Sequence, residues 1–158
     1  VVDEVVGVGG GGVALDHEVD MKKAVIYAST TGNTEAMANA VAEGVKSCGA
    51  ELLMSTASDA NVSDVLACDV IILGSPAMGD EVLEDSMEEF YTNLEGGLSG
   101  KKVAVFGSYD WGDGQWLRTW VERLSASGAT VVNGDGLKVQ LAPDEAALAE
   151  CKSLGETA

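Results

Sequence analysis

Residues 21–158 predict an α/β domain: a doubly wound parallel sheet with helices on both faces. Short apolar β runs alternate with helical patterns of about 10–15 residues, the signature of βαβ crossovers. The run Val70-Ile71-Ile72-Leu73 is continuously apolar, as in strands covered on both sides. A chain of 158 residues, 46% hydrophobic and with 20 glycines, suits one domain with a full core and many tight loops.

The elements follow in order. "KAVIYA" from Lys23 is the first strand. From Asn33 to Cys48, Met37, Ala38, Val41, Ala42 and Val45 recur at helical spacing, and Cys48-Gly49 is a stop signal. "ELLMST" is a strand, "VSDVLAC" a short helix or turn, and "DVIILG" a buried strand. Residues 83–94 read as a helix, "KKVAVFGS" as a strand, and 114–127 as a helix stopped by Gly128. "ATVVNGDGLKVQL" is one strand broken by a turn, and Pro143-Asp144 opens a last helix to about Leu154.

Residues 1–20 differ from the rest: a Gly-rich patch, five acids, no Lys or Arg and no amphipathic period. They are expected to be an appended leader outside the fold: a linker remnant, an expression scar, a misassigned upstream extension or a functional tail. Met21, directly before "KKAVIYAS", is a natural start for the domain. No basic segment followed by an apolar core marks a secretory signal. No run of about 18 apolar residues is present to span a membrane.

Charge excludes further classes. Acidic residues number 26 against 9 basic, a formal −17. A phosphate backbone or anionic lipid surface would be repelled, whereas a partner with a basic docking face would be attracted. Glu51 to Gly100 contains eleven Asp/Glu and no Lys or Arg. Cys48, Cys68 and Cys151 are odd in number and lack a C-x-x-C, which argues against zinc or a disulfide framework and for thiols in a reducing cytoplasm. The single histidine, His17, falls in the leader, so histidine acid/base chemistry is not expected.

Ligands of such sheets sit beyond the C-terminal strand ends, at the topological switch point. Three loops lie there: 29–34, 75–81 and 108–114. In the first, a Gly-containing strand-to-helix turn aims backbone N–H groups at one point where the helix dipole favours an anion. Ser29, Thr30, Thr31 and Thr34 add hydroxyls, and Asn33 an amide. Such a set replaces the water shell of a phosphate without a fixed cation. A helix N-cap of Ser/Thr type accounts for the loop equally well. No Lys follows Gly32, so this is not a Walker loop, and G-x-G-x-x-G is absent. In the second, Met78-Gly79-Asp80-Glu81 is a tight turn carrying a soft apolar side chain, with Gly79 free to take positive φ. The third sets Trp111 among polar residues and glycines, where a core role is awkward. Trp116 and Trp120, by contrast, fall on one buried helix face. A phosphate nest, a Met turn and a projecting Trp at one sheet edge suit a flat aromatic ligand with a terminal phosphate.

Ser-Thr-Thr-Gly-Asn-Thr-Glu, Gly-Ser-Pro-Ala-Met-Gly-Asp-Glu and Gly-Ser-Tyr-Asp-Trp-Gly-Asp-Gly, in this order and spacing, resemble a flavodoxin of the short-chain, clostridial type, over 21–158. The resemblance implies a flavodoxin-like five-stranded sheet of order 2-1-3-4-5, non-covalent FMN, and low-potential one-electron transfer between redox enzymes. It implies a cytoplasmic monomer that has no substrate of its own. Ser29, Thr30, Thr31, Gly32, Asn33 and Thr34 would hold the phosphate. Met78 would lie against the inner face of the isoalloxazine and Trp111 on the outer face. Gly79 and Asp80 would share the peptide that turns its carbonyl toward flavin N5 on reduction, and Glu81 would meet N3. Ser108 and Tyr109 would border the ring and ribityl chain, with Ser75, Pro76, Ala77, Asp110 and Gly112 completing the site. Asp110 is a departure, standing where the short-chain pattern often has Gly. Other readings are an FMN-dependent NAD(P)H:quinone reductase, a flavodoxin-like module of a larger redox protein, and a structural domain with no cofactor. The compact "PAMGDE" loop argues against the reductase.

Overall fold

The computed structural model describes residues 21–158; the leader 1–20, with His17, lies outside the described residues. The elements are β1 (Lys22–Tyr27), α1 (Asn33–Ser47), β2 (Glu51–Thr56), α2 (Val62–Leu66), β3 (Val70–Gly74), α3 (Asp85–Leu94), a 3-10 turn (Glu95–Gly97), β4 (Lys102–Tyr109), α4 (Gln115–Ala126), β5 (Thr130–Val131), β6 (Leu137–Gln140) and α5 (Glu145–Thr157). All strand pairs are parallel, in the order β2-β1-β3-β4-β5, and β6 also pairs with β4. The fifth strand is therefore one line in two pieces, as its internal turn predicts. Asn133 bridges the break: its side-chain amide donates to the Val105 carbonyl (2.8 Å) and accepts the Val105 N–H (3.3 Å).

Side-chain alternation along the strands feeds two cores. Ala24, Ile26, Ile71, Leu73, Val103 and Val105 face α2, α3 and α4, where Trp116 and Trp120 are buried as their spacing predicts. Val25, Val70, Ile72, Ala104 and Phe106 face α1 and α5, with Met37, Val41 and Cys151. On that second face the two helices nearly touch. A Cβ on Gly44 would run into the Lys152 carbonyl oxygen, and one on Gly155 into that of Val41.

Three boundaries move for local reasons. α3 starts at Asp85, not 83, because Glu84 turns back to cap it and accepts the N–H groups of Ser86 (2.8 Å) and Met87 (3.2 Å). α5 runs on to Thr157 instead of stopping near Leu154. Its last carbonyls find a cation: Lys23, almost fully buried in β1, donates from Nζ to Gly155 O at 3.1 Å. β4 runs one residue past Ser108, to Tyr109, because β6 pairs with both, so the third loop begins after Tyr109 and not at Ser108.

Candidate cofactor site

The chain leaves β1 for β2 on one side and returns to β3 on the other, so the switch point lies between β1 and β3. Tyr27, Gly74 and Phe106 stand level across β1, β3 and β4. The three loops therefore emerge side by side. Thr30, Ala77, Met78, Gly79, Glu81, Asp110 and Trp111, drawn from all three, line one cavity of ≈ 230 Å³.

The first loop folds around Ser29, whose Oγ accepts the N–H groups of Gly32 and Glu35 (both 3.2 Å). Gly32 takes φ 93° as the N-cap of α1 and offers no side chain. The N–H groups of Thr30, Thr31, Asn33 and Thr34 find no acceptor among the described residues. Four backbone donors at one helix N-terminus form an anion nest. Thr34 itself is buried and shares a 2.7 Å hydrogen bond with Ser108 Oγ, tying the nest to the end of β4.

In the second loop Ser75 and Pro76 are buried beneath the turn. Ser75 Oγ accepts the Glu84 N–H (3.0 Å), and the Ser75 carbonyl accepts Trp116 Nε1–H (3.1 Å). Trp116 thus supports the site from below, as does its tilted packing against Tyr109 at 5.5 Å. Above, the Met78 carbonyl accepts the Glu81 N–H (2.7 Å), and the Met78 N–H bonds Val82 O (2.9 Å). This is a three-residue hairpin loop in which the residue after the turn is left-handed. That residue is Glu81, at φ 54°; Gly79, expected to supply the freedom, does not take positive φ in this state. The strain at Glu81 is of order 1–2 kcal/mol. Its carboxylate offsets that by accepting the Gln115 N–H (2.9 Å) at the start of α4, so it spans two site loops. Asp80 points into solvent at the turn's apex.

The third loop carries Trp111 at 60% exposure. Four bonds absent from the sequence reading hold it. Gln140 Nε2 donates to Asp110 O (3.1 Å), and Lys138 Nζ to Asp113 O (3.1 Å). Arg118 donates to Asp113 O (3.0 Å) and Oδ1 (2.9 Å). The Arg118 guanidinium keeps the Asp113 carboxyl below the usual aspartate range. Gly112, at φ 86°, lies so close to the Glu81 carboxylate that a Cβ would come within 2.7 Å of it. No spacing rule connects residues 113 and 138; only the pairing of β6 with β4 brings them together.

A cleft with Met78 and Trp111 in its lining, beside a helix N-terminus whose loop has no Lys or Arg, is the candidate cofactor site of this doubly wound sheet. Comparison with known proteins agrees. The flavodoxin family model matches residues 25–155. The flavodoxin of Megasphaera elsdenii is 51% identical over 135 residues, 85% of this chain and 96% of its own. That of Clostridium beijerinckii is 48% identical, covering 77% and 88%. The solution structure of two-electron reduced Megasphaera elsdenii flavodoxin superposes with a TM-score of 0.75 at 49% identity, over 85% of this chain and 96% of that one. The chain belongs to the flavodoxin family: it is an FMN-binding electron carrier that works with redox partner proteins. Among the described residues, no helix is long and apolar enough to cross a membrane.

Proposed function

We propose that this flavodoxin is a low-potential one-electron carrier with no substrate of its own, acting as a cytoplasmic monomer between redox enzymes. The observation that carries the reading is the pair of carboxylates, Glu81 and Asp110, in the lining of a cavity that three loops build together. Bound FMN supplies the one-electron redox chemistry; the residues bind it and set its potential. The free N–H groups of Thr30, Thr31, Asn33 and Thr34, with the hydroxyls of Ser29, Thr30, Thr31 and Thr34, hold the phosphate. Met78 and Trp111 flank the ring. Glu81 meets N3 with the carboxylate that caps α4, and Ser108, Tyr109 and Gly112 border the ring and ribityl chain. Ser75, Pro76 and Ala77 shape the floor.

With no cation in the phosphate loop, Glu81, Asp110 and Asp80 oppose any added negative charge in the cavity, which lowers the second one-electron potential. Gly79 O would accept a hydrogen bond from a protonated flavin N5. The Gly79–Asp80 peptide is the centre of a turn in which neither residue now has positive φ. Turning its carbonyl over while keeping the turn rotates ψ of Gly79 and φ of Asp80, so positive φ then falls on Asp80. Cys48, Cys68 and Cys151, all free thiols, suit a reducing compartment.

Mixing the purified protein with NAD(P)H and a quinone separates a carrier from a reductase. A carrier shows negligible turnover until a partner reductase is added. Sustained quinone reduction by the protein alone overturns the reading.

A further inference from the structure

We propose that Arg118 and Lys138 are positioning residues for Trp111: from α4 and β6 they fix the loop that carries it, so that the indole is oriented before the cofactor binds. The proposal rests on the reading of Trp111 as the outer flavin contact.

The indole is 60% exposed, and it belongs to neither of the close aromatic pairs among the described residues, Tyr91 with Trp120 and Tyr109 with Trp116. Its backbone runs through two glycines at positive φ, Gly112 and Gly114. Fixing such a segment costs about 1–2 kcal/mol per residue in conformational entropy, which weakens any contact that must order it first.

The anchors bracket Trp111. Gln140 holds the Asp110 carbonyl on one side, while Arg118 and Lys138 hold Asp113 on the other. Two cationic side chains converge on a single peptide oxygen, Asp113 O, and occupy both of its lone pairs. In a chain with 9 basic residues against 26 acidic ones, two cations committed to one loop carbonyl make a specific investment. Lys138 reaches it by lying against Gly114, where a Cβ would come within 2.9 Å of its Cδ. Both anchors stand on regular elements, which is where a supporting shell gives precision. Capping α4 does not explain the arrangement, because the Gln115 N–H is already taken by Glu81 and Lys138 makes no contact with the helix N–H groups.

Titration of apoprotein with FMN in a mutant cycle tests this. The variants are Trp111→Ala, the pair Arg118→Gln with Lys138→Met, and all three together. The pair is expected to weaken FMN binding by about fivefold or more, a coupling of the size found between contacting residues. In the Trp111→Ala background the same pair is expected to cost little. Lys138→Arg, which keeps a charged donor, is expected to retain affinity in the Arg118→Gln background. If the pair binds FMN like the unmodified protein, or if its loss simply multiplies with that of Trp111→Ala, the positioning role is overturned. The second outcome is what plain charge removal or a purely structural tie produces. Unchanged binding in Trp111→Ala alone would instead remove Trp111 from the site and take the proposal with it. Lys138→Met alone runs the same cycle should the pair fail to fold.

Discussion

Asp80 is exposed at the apex of the turn, and a turned-over Gly79–Asp80 peptide gives it positive φ. An L-residue at positive φ costs about 1–2 kcal/mol, whereas glycine pays little. For one electron, about 1.4 kcal/mol corresponds to roughly 60 mV. Asp80→Gly should therefore have a first one-electron potential about 40–90 mV above that of Asp80→Ala, which makes the same charge change. Potentiometric titration of both variants checks this, and equal first potentials would show that the turn does not set it. Asp110, the departure from the short-chain pattern, acts by charge. A carboxylate about 8 Å from the added charge opposes it by about 2 kcal/mol at an effective dielectric constant near 20, less when water screens it. Asp110→Asn should raise the second potential by tens of millivolts; a lowered value contradicts the electrostatic account. Residue identities were the most legible part of the site: Met78, Trp111 and the hydroxyl loop stand out in the sequence. The left-handed φ falls on Glu81 and not on Gly79, because a three-residue hairpin loop puts it on the residue after the turn, where a bond to Gln115 across 34 positions steadies it.

Among the elements, α1 and α5 are coupled most closely through two glycines, and α1 begins at the phosphate loop. Gly44→Ala would drive a methyl group into the Lys152 carbonyl and push the helices apart. Overpacking of this kind costs about 1–3 kcal/mol, occasionally more. The urea midpoint of Gly44→Ala should fall accordingly, whereas a midpoint equal to that of the parent would mean the contact relaxes without cost. Periodicity and stop signals placed the helices and strands because both are local, helices repeating over three or four residues and strands over one or two. They misplaced the ends of α3 and α5, where a carboxylate cap at Glu84 and a buried Lys23 ammonium decide how far the helix extends. Lys23 carried no sequence signal, since a lysine at the start of a β run reads as exposed.

Over the whole molecule the charge of −17 is uneven, and part of the acidic stretch is already neutralised. Arg123 forms a paired bond with Glu88 (2.8 and 3.0 Å), lies 3.8 Å from Glu95 and stacks 4.7 Å above the Tyr91 ring. The hydrogen bonds from its guanidinium, aided by its charge, hold the Glu88 carboxyl below the ordinary glutamate range. Among the described residues Asp80, Glu81, Asp85 and Glu89 of that stretch have no basic partner, and with Asp110 across the cavity they are the surface a basic docking face would meet. Exposed charges are screened beyond about 8 Å at physiological salt. Electron-transfer rates to a basic partner should fall as ionic strength rises from low values, and rates indifferent to salt would count against this face. The central claim is that the site divides the flavin's reduction into two one-electron steps, the second at low potential. Stepwise reduction of the purified protein, followed by visible spectrum and electrode potential, tests it directly. The account predicts a bound flavin, two resolved one-electron steps, and a second potential well below that of free FMN. A colourless protein that does not take up FMN, or a single two-electron step near the potential of the free cofactor, would contradict it.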